Sequence, residues 1–560
     1  MRATHLISLF DLLHALAFCP ADRRDTMWDT WLFRRADGSW LLNYLVAHNA
    51  STPPRFPFPA FPDGWNGVSS ALSSDGAHFA DLGVAFLKDC ADPIHDCAVW
   101  LGSGSVWRRQ TAGGAGDDIE ELIMNYSQDG YDCAGGASCQ SIFFATSTDG
   151  LSWVPVAPDA QAKGGIVFKY NQSWYVEGGR WDCIAVLPRH GGGYYGYWTA
   201  TPQPSSELCG THSCGAGFGV SDDGLHWRAL PTPGPAVHGE VGGVATLAGR
   251  VWMTFAAGHL YEARTPMGPF VPAKRNARFL TQEGHAYFPR LWGALYTGSA
   301  NLTLVTHQQK AGVAVYAGLV KRAVFDDDAG VLRAHWWSAN DVLKGAPLPL
   351  RPARSLPALP PSNLLPPALH PPPLASLLSA SFTRHHSPDA NFYSVTALVN
   401  QTTPLLWMKT PCESPDCLSS GMWLEGSLSE AARPAGIWLE QASGGGFAFA
   451  LDVQTAEGTT AFLIGRMTSP EQGWLEPPVR IDRHLRMQPG TPMPWRAVVR
   501  NAWSGYAMVE FYVDDVLSLP YTLDGLLTGT FVAFNGSVAA VSRLTLPTQT
   551  PIPPRDGSII

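Results

Sequence analysis

Five aromatic or β-branched runs punctuate the first half of the chain: Trp40 to Ala47, Glu121 to Gln128, Tyr194 to Ala200, Val251 to Gly258 and Leu302 to Gln308. Each is short, lacks the 3.6-residue periodicity of a helix and is bounded by turn-forming residues, so each reads as a strand. Between them a heptad recurs. Ser73-Ser74-Asp75-Gly76-Ala77-His78-Phe79 returns as Ser147-Thr148-Asp149-Gly150-Leu151-Ser152-Trp153 and again as Ser221-Asp222-Asp223-Gly224-Leu225-His226-Trp227, each copy 74 residues after the last. Asp-Gly supplies the positive φ of a tight hairpin, and the aromatic packs behind it. Three copies at one period mark a repeated supersecondary unit, and so long a period fits the four-stranded blade of a β-propeller. Five runs predict a five-bladed propeller over residues 25–344.

The pattern then changes. Residues 345–376 are dominated by proline and leucine, as in Leu359-Pro360-Pro361 and Pro371-Pro372-Pro373, and read as a linker. Beyond it Phe392 to Val399, Phe447 to Val453, Ala497 to Arg500, Val509 to Val513 and Thr530 to Phe534 alternate as half-buried strands do. They predict a β-sandwich over residues 377–550. In Glu510-Phe511-Tyr512-Val513-Asp514-Asp515 the two aspartates read as a turn between strands. The expected fold class is therefore all-β, a five-bladed propeller followed by a C-terminal β-sandwich.

Composition supports a large buried core: 560 residues are 45% hydrophobic and 15% charged, with 56 Gly, 46 Pro and 21 Trp. The net charge of −9 gives no reason to expect nucleic acid or an anionic membrane as a partner, and no later segment is long and apolar enough to span a bilayer. Eight of the ten cysteines lie in close pairs, Cys90 with Cys97, Cys133 with Cys139, Cys209 with Cys214 and Cys412 with Cys417, spacings that suit small loop disulfides better than a zinc knuckle. Cys19 and Cys183 are left over. Six of the 13 asparagines, Asn49, Asn125, Asn171, Asn301, Asn400 and Asn535, begin Asn-x-Ser/Thr sequons. Sequons and cysteine pairs together point to a secreted or endomembrane-lumen protein. Residues 1–24 read as a degenerate signal: Arg2 precedes an apolar stretch from Leu6 to Phe18 that Asp11 and His14 interrupt.

Three acids share a place in the repeat. Asp29 stands 11 residues before Trp40, Asp182 stands 12 before Tyr194, and Glu240 stands 11 before Val251. Because the first strand of a blade lines the channel and hairpins into the second, this offset predicts three carboxyl groups at one depth on three inner strands. Partly desolvated like charges cannot all ionise normally, so one is expected to stay protonated near neutrality. Glycoside hydrolysis needs that asymmetry, one carboxylic acid giving a proton to the leaving oxygen while a carboxylate attacks or activates water. Trp28, Trp31, Trp100, Trp107 and Trp181 offer flat faces to sugar rings, although tryptophans in an all-β core are more often packing. No organic cofactor or metal is implied.

The Asp, Asp, Glu order on blades one, three and four, with the Ser-x-Asp-Gly-x-x-aromatic hairpins and the trailing sandwich, resembles the five-bladed glycoside hydrolases of families 32, 43 and 68. The resemblance implies Asp29 as nucleophile or general base, Asp182 as transition-state stabiliser, Glu240 as general acid and Arg180 as the arginine beside the stabiliser. The local motifs depart from family 32. Its Asn-Asp-Pro-Asn-Gly is here Trp28-Asp29-Thr30-Trp31, its Arg-Asp-Pro is Arg180-Trp181-Asp182-Cys183, and its Glu-Cys is Glu240-Val241-Gly242. Further substrate contacts are expected from Trp28, Trp31, Ser103, His238, His285 and Arg290. Close packing is the competing role for Ser103, strand pinning for Arg290, and a structural role for His238.

These features predict a glycosidase acting on a fructofuranoside, sucrose-like or arabinofuranoside-like substrate, with an oligosaccharide or glycoside as its partner. A catalytically silent glycan-binding propeller is the alternative from another class. A sialidase-like propeller is a third reading, weakened because Asp and Gly are adjacent in all three hairpins and no arginine cluster is evident.

Overall fold

In the computed structural model the five runs become the second strands of five blades. The structure describes residues 17–21, 25–47, 65–87, 101–109, 121–129, 140–156, 168, 173–176, 179–203, 215–234, 239–280, 286–311, 314–348, 351–352, 381–387, 390–396, 405–409, 421–428, 435–454, 459–469, 472–486, 491–502, 504–534 and 536–544. The chain divides into two compact units, with the break between Leu343 and Lys344.

The first unit is the propeller. Blade one is the antiparallel series Thr26–Arg34, Trp40–Ala47, Gly67–Ser73 and Ala80–Leu87. Blade three repeats it with Trp181–Pro188, Tyr194–Ala200, Ala216–Ser221 and Trp227–Leu230. Blade two has an interrupted inner strand, Leu101–Gly102 and Val106–Arg108, against Leu122–Asp129. Blade four begins with Val241–Leu247 and Arg250–Phe255, and blade five with Ala286–Trp292 and Leu304–Ala311. The inner strands of blades four and five run parallel, Val244 facing Trp292, as strands around a common axis must.

Ala17–Phe18 pairs antiparallel with Ala314–Gly318 of blade five, and Phe18 packs 5.3 Å from Tyr44. Within the segment expected to be a signal, Ala17 and Phe18 are thus paired into the sheet. The cysteine pairs lie outside the described residues, whereas Cys19 and Cys183 are both buried, Cys183 as a free thiol. Of the sequons, Asn301 is exposed, but Asn125 is wholly buried. The Asn125 amide donates to Ser105 Oγ and the Ile184 carbonyl, so it is a structural residue and no glycan acceptor in the folded chain.

The three heptads form the hairpins between third and fourth strands. In each, the serine hydroxyl accepts the glycine N–H, and the aspartate accepts two further amides: Ala77 and His78 on Asp75, Leu151 and Ser152 on Asp149, Leu225 and His226 on Asp223. Although burial opposes it, the His226 and Leu225 donors hold the Asp223 carboxyl at about 2. The hairpins also join blades. Gly150 of blade two lies against Leu41 of blade one, Gly224 of blade three against Trp107 and Ile123 of blade two, and Gly76 of blade one against Trp337, which follows blade five.

The second unit, Lys344–Thr545, packs two antiparallel sheets on one core that includes Met422, Ile437, Phe449, Phe462, Trp495 and Phe511. Asp514 and Asp515, at φ 48° and 61°, make the two-residue turn expected there. The proline-rich segment does not begin as a free linker: Lys344–Pro347 pairs with Gly536–Leu544 and Arg351–Pro352 with Leu405–Lys409. Short paired pieces of this kind accommodate proline where a long interior strand would not. Among the described residues no helix is long and apolar enough to cross a membrane.

Gly224 has φ +83° and a Cβ there would stand 2.7 Å from Trp107 Nε1, whereas Gly191 has φ +88° with nothing within 4 Å. Gly224→Ala is therefore expected to cost about 2 kcal/mol or more, and Gly191→Ala only about 1 kcal/mol. Denaturation followed by tryptophan fluorescence separates the two; equal losses would contradict hairpin packing against the neighbouring blade.

Candidate active site

The inner strands are not regular where the acids stand. Blade one has a bulge between Trp28 and Thr30, with Asp29 itself at φ 36°. Blade three has one between Asp182 and Ala185, with Cys183 at φ 50°. Blade four has one between Val241 and Gly243, directly after Glu240, and blade five has one between Tyr287 and Arg290, with Phe288 at φ 53°. A bulge breaks the alternation of a strand and re-aims its side chains. Four of them at the same end of four inner strands turn side chains into a shared space.

Asp29 is 4% exposed and Asp182 3%. Gln308 Nε2 donates to Asp29 Oδ1 at 3.0 Å, Ser103 adds a hydroxyl hydrogen bond, and Arg290 Nη2 stands 4.0 Å from Oδ2. Asp182 accepts from the Ser127 hydroxyl and, at 2.7 Å, from Arg180 Nη2. Arg180 Nη1 reaches Glu240 Oε1 at 2.5 Å, while Arg180 Nε donates to Gln140 Oε1 at 2.6 Å. One guanidinium therefore joins two of the acids. Against the cost of its own burial, Glu240 and Asp182 hold the Arg180 guanidinium firmly protonated.

Burial pushes the Asp29 carboxyl up to about 7; Arg290 opposes the rise, and Glu240 and Asp182 add to it. Those mutual effects mark the three carboxyl groups as neighbours, and they bring the Asp29 carboxyl into the neutral range.

Several expected substrate contacts are corrected. Trp31, Trp107 and Trp181 are 0–1% exposed and belong to the core, so their faces are closed to a sugar. Trp28 is 7% exposed, stacked on Trp65 at 6.1 Å with the Lys310 ammonium 5.1 Å over its ring, so protein groups already cover it. Ser103 and Arg290 are 1% and 2% exposed and bonded to each other at 2.9 Å, with Arg290 Nη1 on the Gly104 carbonyl at 2.6 Å. Arg290 is a strut from blade five to blade two, and Ser103 hands its hydroxyl to Asp29. A Cβ on Gly102 would stand 2.0 Å from Ser127 Oγ and 2.7 Å from Asp182 Oδ1, which explains a glycine beside Ser103. His238, His285 and Trp100 lie outside the described residues.

Sequence reasoning missed Ser127, Gln140, Gln308 and Tyr287. The first three have no spacing signal of their own, since they reach the site from second and third strands. Tyr287 did have one: Tyr287 and Arg290 flank the same bulge on blade five that Asp182 and Ala185 flank on blade three. Burial, and after it Glu240 and Asp29, raise the Tyr287 phenol well above its usual range, so it remains a neutral donor beside the acids. Burial alone lowers the Lys310 ammonium, 5.0 Å over the Tyr287 ring, to about 8. Among the described residues no group of three or more His, Cys, Asp or Glu is arranged to hold a metal ion.

The fold is that of a five-bladed propeller and a β-sandwich, an architecture shared with solved structures of glycoside hydrolases. The structure resembles the family 32 β-fructofuranosidase of Bombyx mori with a TM-score of 0.58 at 10% identity, over 96% of this chain and 95% of that one. Fructan 1-exohydrolase IIa from Cichorium intybus gives 0.56 at 12%, over 96% and 98%. The β-fructofuranosidase of Schwanniomyces occidentalis, complexed with fructosyl-erythritol, gives 0.52 at 10%, over 95% and 98%. No family model matches the chain, and no curated protein matches it in sequence. The likeness is one of fold.

The proton on Asp29 has a stability consequence. Its folded value, raised from 3.8 to about 7, contributes stability that is fully present below 3.8 and lost as pH rises through about 7. Asp29→Asn mimics the protonated acid, so it is expected to melt above the wild type near pH 8 and level with it near pH 4. Thermal melting across that range checks the sign, and a variant less stable at the higher pH would contradict the assignment.

Proposed function

We propose that the protein is a glycoside hydrolase acting on a fructofuranoside, sucrose-like or arabinofuranoside-like bond. The observation that carries this reading is the cluster of Asp29, Asp182 and Glu240, set by matching bulges on three inner strands, with Arg180 joining Asp182 to Glu240. In the roles implied by the family resemblance, Glu240 gives its proton to the leaving oxygen as the glycosidic C–O bond breaks. Asp29 attacks the anomeric carbon or takes a proton from the attacking water, and Asp182 steadies the developing positive charge. Where Asp29 attacks, water then displaces it from the anomeric carbon, leaving its hydroxyl on the sugar and its proton on Glu240; where Asp29 is the base, it takes the water proton and Glu240 is reprotonated from solvent.

Those roles require an ionised Asp29 and a protonated Glu240. In the structure burial raises the Asp29 carboxyl to about 7, and Arg180 is paired to Glu240. A sugar hydroxyl entering between Arg180 and Glu240 would break that pair and free the acid. The same observation favours a second reading, a propeller that binds glycans and releases no product.

A panel of furanosides and pyranosides, with products resolved by anomeric configuration, separates the two readings. Glu240→Gln is expected to lower kcat by about a hundredfold or more with the fold intact, as loss of a general acid does. The wild-type kcat/KM should rise with pH as Asp29 ionises around 7. Unchanged turnover in the variant, or binding without product by the wild type, would count against hydrolysis.

A further inference from the structure

The first strand of blade three is preceded by a short anchored segment at the end where the acids stand. Tyr175 bridges to Pro202, Val176 N–H donates to the Thr201 carbonyl, and Gln203 N–H donates to the Trp174 carbonyl, both at 2.8 Å. Tyr175 is 1% exposed, its ring 5.1 Å from Trp181, and its hydroxyl donates to Leu230 and accepts from Phe218 N–H. The backbone from the Trp174 carbonyl through Val176 is thereby pinned. The Trp174 side chain is nevertheless 43% exposed, and among the described residues it is the one aromatic in the set of exposed large apolar side chains.

Its place in the blade is fixed by register. Asp182 faces Thr199, and Pro202 lies three residues further along the same strand path. At a strand rise of about 3.3 Å per residue, Trp174, whose carbonyl accepts from Gln203 N–H four residues beyond Thr199, is carried roughly 13 Å beyond the level of Asp182 and outside the buried pocket. The Ser-Asp-Gly hairpins are at the opposite end of the blade, after Ser221. An indole left exposed on an anchored backbone presents a face that water solvates poorly, and a sugar ring matches it by laying its C–H face against the ring while its hydroxyls stay wet.

We infer that Trp174 is a sugar-stacking platform that binds a more distant unit of an oligosaccharide whose end enters the acid cluster. This rests on the glycan-directed reading above and extends it to chain length: the protein prefers longer linear glycans over the shortest ones. The indole supplies affinity and no chemistry, because nothing about it reaches the reacting bond.

Wild type, Trp174→Ala and Trp174→Phe are compared on linear fructo-oligosaccharides and arabino-oligosaccharides of increasing length. Two readouts are used: kcat/KM, and calorimetric affinity of the same proteins carrying Glu240→Gln. Wild type should gain in both with length; Trp174→Ala should lose roughly fivefold to tenfold on the longest glycans and nothing on the shortest, with Trp174→Phe recovering most of it. Identical length profiles for wild type and Trp174→Ala, or a wild type that gains nothing with length in either readout, would overturn the inference. Absence of turnover in the wild type would count against hydrolysis alone, since the length dependence of affinity still decides the role of Trp174.

Discussion

Gathering three carboxyl groups, two of them buried, in one small space is the constraint to which the propeller around them answers. Uncompensated, they would repel and lose their hydration. Two guanidiniums offset this in different ways. Arg180 is shared between Asp182 and Glu240, and Gln140 fixes its third edge. Arg290 lies closer to neutral hydrogen-bond partners on blade two than to Asp29, so it compensates that acid only in part. The result is uneven compensation, in which Asp182 and Glu240 share Arg180 while burial raises the Asp29 carboxyl to about 7.

This unevenness depends on backbone irregularity. A regular strand would alternate its side chains between channel and blade, and its neighbours could not present acids at one depth. The bulges on blades one, three, four and five remove that alternation at one end only. Blade two contributes differently, through an interrupted strand whose Ser103, Ser105 and Gly102 pack directly against the acids' supports. Five repeats of one unit have thus diverged into separate tasks within a common frame.

The frame is held by contacts far from the acids. The Ser-Asp-Gly hairpins satisfy their own turns and seat their glycines on neighbouring blades, and Gly76 against Trp337 brings the first blade to the end of the fifth. Closing a ring this way limits splay between blades, which is what hydrogen-bond distances across the channel, such as Gln308 to Asp29, require.

The local pattern was enough to specify the blades. Short β-branched and aromatic runs, a 74-residue repeat and the constant offset of Asp29, Asp182 and Glu240 from their second strands are local or periodic features, and hydrophobic alternation writes them directly into the chain. The turn at Asp514-Asp515 was legible for the same reason. Other features were decided only by tertiary structure. Trp31 and Trp181 have the same aromatic chemistry as a sugar platform, and only packing closes their faces while leaving that of Trp174 open. Asn125 carries a full sequon yet is committed to Ser105 and Ile184. Which acid keeps a proton, and that Ser127, Gln140, Gln308 and Tyr287 stand beside the three acids, follows from burial and from groups distant in sequence meeting across the channel. No spacing rule along the chain contains that information, because charge balance is a property of the assembled space.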